Sequence, residues 1–376
     1  MTDFQFYRGD GQQQQSQNQV PTANRNDKNS SAGYRASKGL AAAVDVALRL
    51  GMPLLITGEP GTGKSCLAYS LAWERNLGEP LRFVVKSDTQ AKDLFYHFDT
   101  VGRFHAANMS KTSGQEIDAR RFLNFSALGK AILYTHQSEP LKTSLGPAFN
   151  ALAHPGSPRQ SVVLIDEIDK APRDVPNDLL WELENNEFEI TEIANVNSDP
   201  DGLDSSTDQK YCFSLNSQRS ELRPLIIITS NSEKSLPDAF LRRCVYYHLP
   251  FPDFEQDIDN SIEQEDHVTV QTIVSSRLSR RYKDGGENLV EDALSFFRFL
   301  REQHLSRRPG LSELLNWLDY LLPPAGPGED SVPGLESMPA EKRLLSIKIT
   351  LLKDRKDYED IEHHIDAWLV ENRSRS

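Results

Sequence analysis

The chain has 376 residues, of which 38% are hydrophobic and 26% are charged, and its formal net charge is -13. This length and composition are sufficient for two or three domains with buried cores. The acidic balance argues against a general nucleic-acid binder, although it leaves room for a local basic surface inside an assembly.

The cysteine pattern and the N-terminal sequence indicate the cellular compartment. Cys66, Cys212 and Cys244 have neither the spacing of a metal site nor the even number of a disulfide framework. The N-terminus lacks a basic-then-apolar signal pattern, and no apolar run approaches the roughly 18 residues expected of a membrane helix. We therefore expect a soluble protein of the cytoplasm.

The N-terminal segment differs in composition from the rest of the chain. Residues 10–31 consist mainly of Gln, Asn and Ser and contain almost no apolar side chain. Such a segment cannot bury enough apolar surface to offset the entropy lost on ordering. We predict a disordered tail over residues 1–33; recruitment of a partner by this tail is the alternative.

Helix and strand patterns alternate after this tail. A helix is predicted over residues 36–50, before an apolar strand that begins at Leu54. A second strand is predicted at 81–85, followed by helices at 91–98 and 123–135. This alternation predicts an α/β domain with a parallel sheet covered by helices on both sides.

A glycine-rich loop follows the first strand and carries the P-loop spacing, Gly58, four residues, then Gly63-Lys64-Ser65. The glycines let backbone N–H groups close on an anion, Lys64 supplies charge to the β and γ phosphates, and Ser65 offers a hydroxyl to Mg2+. A chance glycine-rich turn is the alternative, which the flanking strand and helix disfavour. The predicted ATP-binding residues are Gly58, Glu59, Pro60, Gly61, Thr62, Gly63, Lys64, Ser65 and Cys66.

Two acidic residues follow another apolar strand, at 161–165. Ligands of open α/β sheets bind at the carboxyl ends of the strands, where Asp166 and Glu167 lie. We expect Asp166 to complete a Mg2+ site with Ser65, and Glu167 to polarise the water that attacks the γ phosphate. The alternative is a helix N-cap after a core strand.

A third apolar strand, at 225–229, ends in Ser230-Asn231. Asn231 is therefore a candidate to hold the attacking water, although an asparagine suited to a turn explains it equally well. Between these strands we predict a helix over 176–187 and a β-hairpin that pairs 188–190 with 211–213 around a long tip at 195–210.

The pattern changes to helical periodicity after Pro250-Phe251-Pro252. We therefore divide the chain into a nucleotide-binding α/β domain and a small all-α domain, followed by a Pro- and Gly-rich linker and a charged helical tail that packs on that domain or meets a partner. The predicted boundaries are 34–250, 251–322, 323–340 and 341–376.

Four ordered motifs together resemble those of AAA+ ATPases, and most closely the MoxR family. They are residues 58–65 (GEPGTGKS), 164–172 (LIDEIDKAP), 228–231 (ITSN) and 238–243 (DAFLRR). Residues 93–104 and the helix and hairpin over 177–190 are also similar to MoxR segments, and the resemblance covers roughly residues 35–320.

This resemblance implies an AAA+ P-loop ATPase core, a parallel sheet flanked by helices, with a small all-α lid. It further implies a ring, usually a hexamer, in which ATP lies between subunits and a neighbour supplies an arginine finger; Arg243 matches that position best. The lid arginine expected of the family falls at Ser312 in the best register, and Arg307 or Arg308 just before it can substitute; Arg308 is the one assigned to ATP binding.

Family members are chaperone-like ATPases that remodel or mature client proteins, commonly with a partner that carries a von Willebrand factor A domain. Two other functions use the same nucleotide site. A nucleic-acid-stimulated motor would employ the basic cluster of Arg277, Arg280, Arg281 and Lys283, which a solvated lid helix explains as well. A nucleotide-gated switch in signalling or defence is the other.

Overall fold

The computed structural model describes residues 33–113, 117–194, 211–231, 234–254, 268–282, 287–322 and 334–375. They form two units, one of Lys38–Glu59 and Lys64–Pro250 and the other of the described residues in Met1–Ser37, Pro60–Gly63 and Phe251–Ser376. The predicted N-terminal tail through residue 32, the predicted hairpin tip at 195–210 and linker residues 323–333 lie outside the described residues.

The strands of the described chain all belong to the first unit. In chain order they are β1 (Leu54–Thr57), β2 (Leu81–Val84), β3 (Tyr96–Phe98), β4 (Leu123–Phe125), β5 (Val162–Asp166), β6 (Glu187–Glu189), β7 (Cys212–Ser214), β8 (Leu225–Ser230) and β9 (Val245–His248).

The helices of the first unit are α1 (Lys38–Leu50), α2 (Cys66–Glu74), α3 (Thr100–Ser113), α4 (Ala127–Leu133), α5 (Ser138–Leu145), α6 (Ala148–Leu152), α7 (Val175–Asp178), α8 (Leu180–Asn185), α9 (Thr191–Ala194) and α10 (Asp238–Leu241). Those of the second unit are α11 (Val270–Tyr282), α12 (Glu287–Glu302), α13 (Leu311–Leu321), α14 (Ala340–Thr350) and α15 (Arg355–Arg375). None of the helices in these described segments is long and apolar enough to cross a bilayer.

A five-stranded parallel sheet forms the centre of the first unit, in the order β2-β5-β8-β1-β9. The three inner strands β5, β8 and β1 are apolar and almost wholly buried, as expected for strands covered on both faces. The predicted α/β fold with a helix-flanked parallel sheet is therefore confirmed. Since all five strands run in one direction, their carboxyl ends meet at one edge.

The helix predicted over residues 91–98 is wrong. Ala91–Leu94 forms a single 3-10 turn, closed by a hydrogen bond from the Gln90 N–H to Asp93 Oδ2 (2.8 Å). The next residues form β3, in which Tyr96 and Phe98 are buried while His97 between them is exposed. That alternation has the period of a strand, and its antiparallel partner β4 lies far along the sequence.

Pairing with β3 also shortens the helix predicted over residues 123–135. Residues Leu123–Phe125 belong to β4, and the helix begins only at Ala127. The predicted hairpin of 188–190 with 211–213 is confirmed by the antiparallel pairing of β6 with β7. Phe188 anchors it, because its buried ring stacks on Phe95 and Phe213 with centroid distances of 5.3 and 5.7 Å.

The second unit has its own apolar core, built by α11 to α15. Phe296 of α12 lies at its centre, with its ring 5.9 Å from Trp317 of α13 and 5.4 Å from Trp368 of α15. Residues 340–375 therefore pack with the helices of 270–322 in one core. α14 and α15 thus share the core of α11 to α13.

Candidate active site

The loop between β1 and α2 has a backbone path that requires glycine. Gly58 has φ +150°, and a Cβ built on it would lie 2.3 Å from the carbonyl oxygen of Leu249. Gly63 has φ +91°, also in the region that L side chains avoid. At both positions the backbone therefore takes a conformation that glycine adopts readily and that other residues disfavour.

Lys64 lies buried inside this loop, with 7% of its surface exposed. Its Nζ donates hydrogen bonds to the carbonyl oxygens of Gly58 (2.9 Å) and Glu59 (2.8 Å). Burial lowers the pKa of Lys64 below its usual value, against the opposing effect of nearby carboxylates, first among them Asp169. The loop thus folds around a cation that is poorly hydrated and well placed to attract phosphate oxygens.

Asp166, the last residue of β5, connects this loop to the sheet. Ser65 Oγ and Thr229 Oγ1 each donate a hydrogen bond of 2.7 Å to Asp166 Oδ1. Arg82 Nη2 donates to Asp166 Oδ2 at 2.6 Å. Burial raises the pKa of Asp166, but these three hydrogen bonds outweigh that effect and hold the pKa below its usual value. The carboxylate is therefore ionised at neutral pH.

Glu167 adopts an unusual backbone conformation. Its φ of +63° and ψ of +50° are left-handed, which costs a non-glycine residue about 1 kcal/mol or more. The Glu167 N–H donates to Thr229 Oγ1 (3.0 Å), and its Oε2 accepts from Lys170 Nζ (2.6 Å). Glu167 occupies the N-cap position of the 3-10 turn that follows at Ile168–Lys170, but its side chain makes no capping hydrogen bond to that turn.

Asn231 follows the last residue of β8 and contacts the segment that follows β5. Its N–H donates to Asp169 Oδ1 at 3.2 Å, two residues beyond Glu167. The structure thus brings Ser65 into direct contact with Asp166, whereas Asn231 reaches this edge of the sheet through the contact of its backbone N–H with Asp169.

Arg243, by contrast, lies on the surface after α10. Its guanidinium forms an ion pair with Glu184 of α8, and its Nη1 also donates to the carbonyl oxygen of Ala239 (3.2 Å). These described contacts do not include any member of the Ser65, Asp166 and Glu167 group. The described contacts of Arg243 are thus with α8 and α10.

Arg308 lies in the second unit and is exposed. The neighbouring Arg307 is held by its backbone N–H, which donates to Asp357 Oδ2 at 3.4 Å. Gly61 and Ser312 belong to this same unit. A Cβ built on Gly61 would lie 2.6 Å from Ser312 Oγ, so Ser312 lies beside this loop residue.

Three residues of the site are not predicted from the sequence: Arg82, Thr229 and Lys170. Arg82 had no clear signal, because it is an exposed residue of the edge strand β2, where an arginine needs no partner. Thr229 had none, because threonine is an ordinary strand residue and its two hydrogen bonds depend on the pairing of β8 with β5.

The residues fit a phosphate chain with a divalent cation. Lys64 supplies positive charge at the loop, and the Ser65 hydroxyl lies against an ionised carboxylate. Oxygen ligands of this kind, a hydroxyl and one carboxylate, are those with which proteins hold Mg2+ beside nucleotide phosphates.

Comparison with protein families agrees with this chemistry. The family model described as the AAA domain of the dynein-related subfamily matches residues 53–244, just over half of the chain. The matched region begins one residue before β1 and includes the loop, the acidic pair and Asn231. A comparison with curated proteins finds no match. With a helix-flanked parallel sheet, a P-loop and the family match in agreement, the chain belongs to the AAA domain family, dynein-related subfamily, whose general function is that of an ATPase.

Proposed function

We propose that this protein hydrolyses ATP and, as a MoxR-like AAA+ ATPase, uses that reaction to remodel or mature a protein client. The observation that carries the hydrolysis proposal is the 2.7 Å hydrogen bond from Ser65 Oγ to Asp166 Oδ1. It joins two motifs 101 residues apart in sequence, each of which indicates a nucleotide site separately.

The residues of the loop and of the strand ends have separate roles in this proposal. Lys64 binds the phosphates, while Ser65 and Asp166 hold Mg2+, which supplies positive charge that neutralises the phosphate oxygens when it is bound. Glu167 orients and polarises the attacking water, and Asn231 helps to hold it. Lys170 pairs with Glu167 at 2.6 Å and so fixes the direction of its carboxylate.

Arg243 completes the proposed site from a neighbouring subunit. Its exposed position after α10 and its contacts with Glu184 and Ala239 support a role outside its own reaction centre. An arginine supplied across an interface stabilises charge in the phosphoryl-transfer transition state. AAA+ proteins commonly assemble as rings, so we propose a homo-oligomer, with a hexamer as the expected size.

The client function rests on the resemblance to MoxR proteins and not on a described surface. A partner with a von Willebrand factor A domain is part of the same proposal. Stimulation of ATP turnover by DNA or RNA, lost as salt rises, would instead favour the nucleic-acid motor. A nucleotide-gated switch would show assembly that depends on ATP without stimulation by a client.

The direct test of the nucleotide site is Lys64→Ala. Because Lys64 binds through its charge, the variant should lose most of its affinity for Mg-ATP, measured by calorimetry, while keeping the circular dichroism spectrum of the wild type. Lys353→Ala, which removes an exposed lysine outside the loop, serves as the control and should bind normally. Unchanged affinity in Lys64→Ala would remove the loop from the proposal.

A further inference from the structure

Arg82 reaches Asp166 because of the register between two strands. In the parallel pairing of β2 with β5, Val84 lies opposite Asp166 and Arg82 lies two residues earlier on the same strand. Side chains two residues apart in a strand lie on the same face. The long side chain of Arg82 therefore extends along that face to the carboxylate.

The contact is a short hydrogen bond between opposite charges. Arg82 Nη2 lies 2.6 Å from Asp166 Oδ2, while Asp166 Oδ1 accepts hydrogen bonds from Ser65 and Thr229. Both oxygens of the carboxylate thus accept hydrogen bonds from protein donors. A metal cation that binds this carboxylate through Oδ2 would therefore have to take the place of the Arg82 guanidinium.

The two partners differ in their freedom to move. The side chain of Asp166 is 7% exposed and held by two hydroxyls, whereas that of Arg82 is 47% exposed. Arg82 can therefore turn into solvent, where its own charge is hydrated, but the buried Asp166 carboxylate then needs another cation in its place. When a ligand breaks this ion pair, the side chain that moves is therefore that of Arg82.

We propose that Arg82 competes with Mg2+ for Asp166, so that Mg2+-nucleotide binding requires release of this arginine. Arg82 is then a positioning residue that keeps the carboxylate neutralised and oriented until nucleotide arrives with its metal. The inference rests on the proposed nucleotide site, and it concerns how that site controls its affinity for Mg2+.

The test measures how far Mg2+ tightens nucleotide binding. The dissociation constant of a fluorescent ADP analogue is determined in EDTA and in saturating Mg2+. The constant in EDTA divided by the constant in Mg2+ gives the factor by which the metal tightens nucleotide binding. Removing a charge-assisted hydrogen bond that the metal must break should raise this ratio about tenfold in Arg82→Gln. Arg82→Met, a second uncharged variant, should behave in the same way.

Two controls separate competition from a structural effect. Arg82→Lys retains a cation and should return most of the way to the wild-type ratio, whereas a purely structural role would not depend on charge. Arg49→Gln removes another exposed arginine that pairs with an acid, Asp45, and should leave the ratio unchanged. Melting temperatures of all variants confirm that each is folded.

An unchanged ratio in both Arg82→Gln and Arg82→Met would overturn the inference. A lower ratio would also overturn it, because it would show that Arg82 supports the metal ligand. If the wild-type chain bound ADP in neither condition, the proposed function would fail and this inference with it. Failure of the inference alone leaves wild-type binding and its dependence on Mg2+ intact.

Discussion

Thr229 joins the two acidic residues of the site through one oxygen atom. Its Oγ1 donates to Asp166 Oδ1 and accepts the N–H of Glu167, and the residue is 1% exposed. The hydroxyl thus holds the ionised carboxylate and the left-handed backbone of the next residue in one arrangement. Asp166 and Glu167 depend on it for their relative position.

Thr229→Val tests this arrangement, since valine keeps the shape but has no hydroxyl. The variant leaves the partly buried N–H of Glu167 without its acceptor and the buried carboxylate of Asp166 without one donor, which together cost about 1–3 kcal/mol of unfolding free energy. We expect that loss in urea denaturation, together with slower ATP hydrolysis. Thr229→Ser keeps the oxygen and should hydrolyse ATP near the wild-type rate. Equal rates in the two variants would show that the hydroxyl has no role in the site.

The same residue scale shows what sequence could predict of the site. Ser65 and Asp166 could be paired in advance, because each lies in a recognisable motif at a strand end. Arg82 and Thr229 contact the same carboxylate from two further strands. Their roles depend on which strands are neighbours and on the register, which local sequence does not encode.

At the scale of elements, strands are predicted correctly from the sequence where apolar residues extend along the whole strand. The apolar runs of β1, β5 and β8 predict buried strands, and in the structure these strands are almost wholly buried. It failed at β3 and β4, which are three residues each and stabilised by mutual pairing. Segments this short can carry too little periodicity to distinguish a strand from a helical turn, although the equally short β6 and β7 were predicted correctly.

The hairpin of β6 and β7 gives a prediction at this scale. Phe188 is 3% exposed and stacks between two phenylalanines, so Phe188→Ala should lower the free energy of unfolding by about 3–5 kcal/mol. Phe188→Leu fills more of the same space and should lose less. Urea denaturation of the three proteins measures both values. A loss below about 1 kcal/mol in the alanine variant would show that the hairpin packs loosely on the core.

At the scale of the whole molecule, the proposed ring requires residues from two chains at each site. Glu167 lies at the end of β5, while Arg243 lies on the surface, paired with Glu184. An arginine finger is typically worth about 10³ to 10⁵ in rate, so Arg243→Ala should bind ATP and barely hydrolyse it. The site would then be completed only in the assembly.

Mixing two inactive variants tests this sharing of a site. Arg243→Ala keeps Glu167 and Glu167→Gln keeps Arg243, so mixed rings contain some interfaces with both functional groups. Partial ATP hydrolysis should return in the mixture, in rings whose composition is confirmed by mass measurement. Wild-type turnover by Arg243→Ala alone would assign the finger to another residue, with Arg242 the first to test.

The most direct test of the account is single-turnover hydrolysis of ATP by Glu167→Gln. The amide retains the shape of the side chain but cannot polarise water as a carboxylate does, so hydrolysis should slow by about 10² to 10⁴-fold. Affinity for ATP, measured on the same preparation, should stay near that of the wild type, and Glu139→Gln, which alters an exposed ion pair, should hydrolyse normally. Wild-type single-turnover hydrolysis by Glu167→Gln would contradict the assignment of this residue and of the strand-end site built around it.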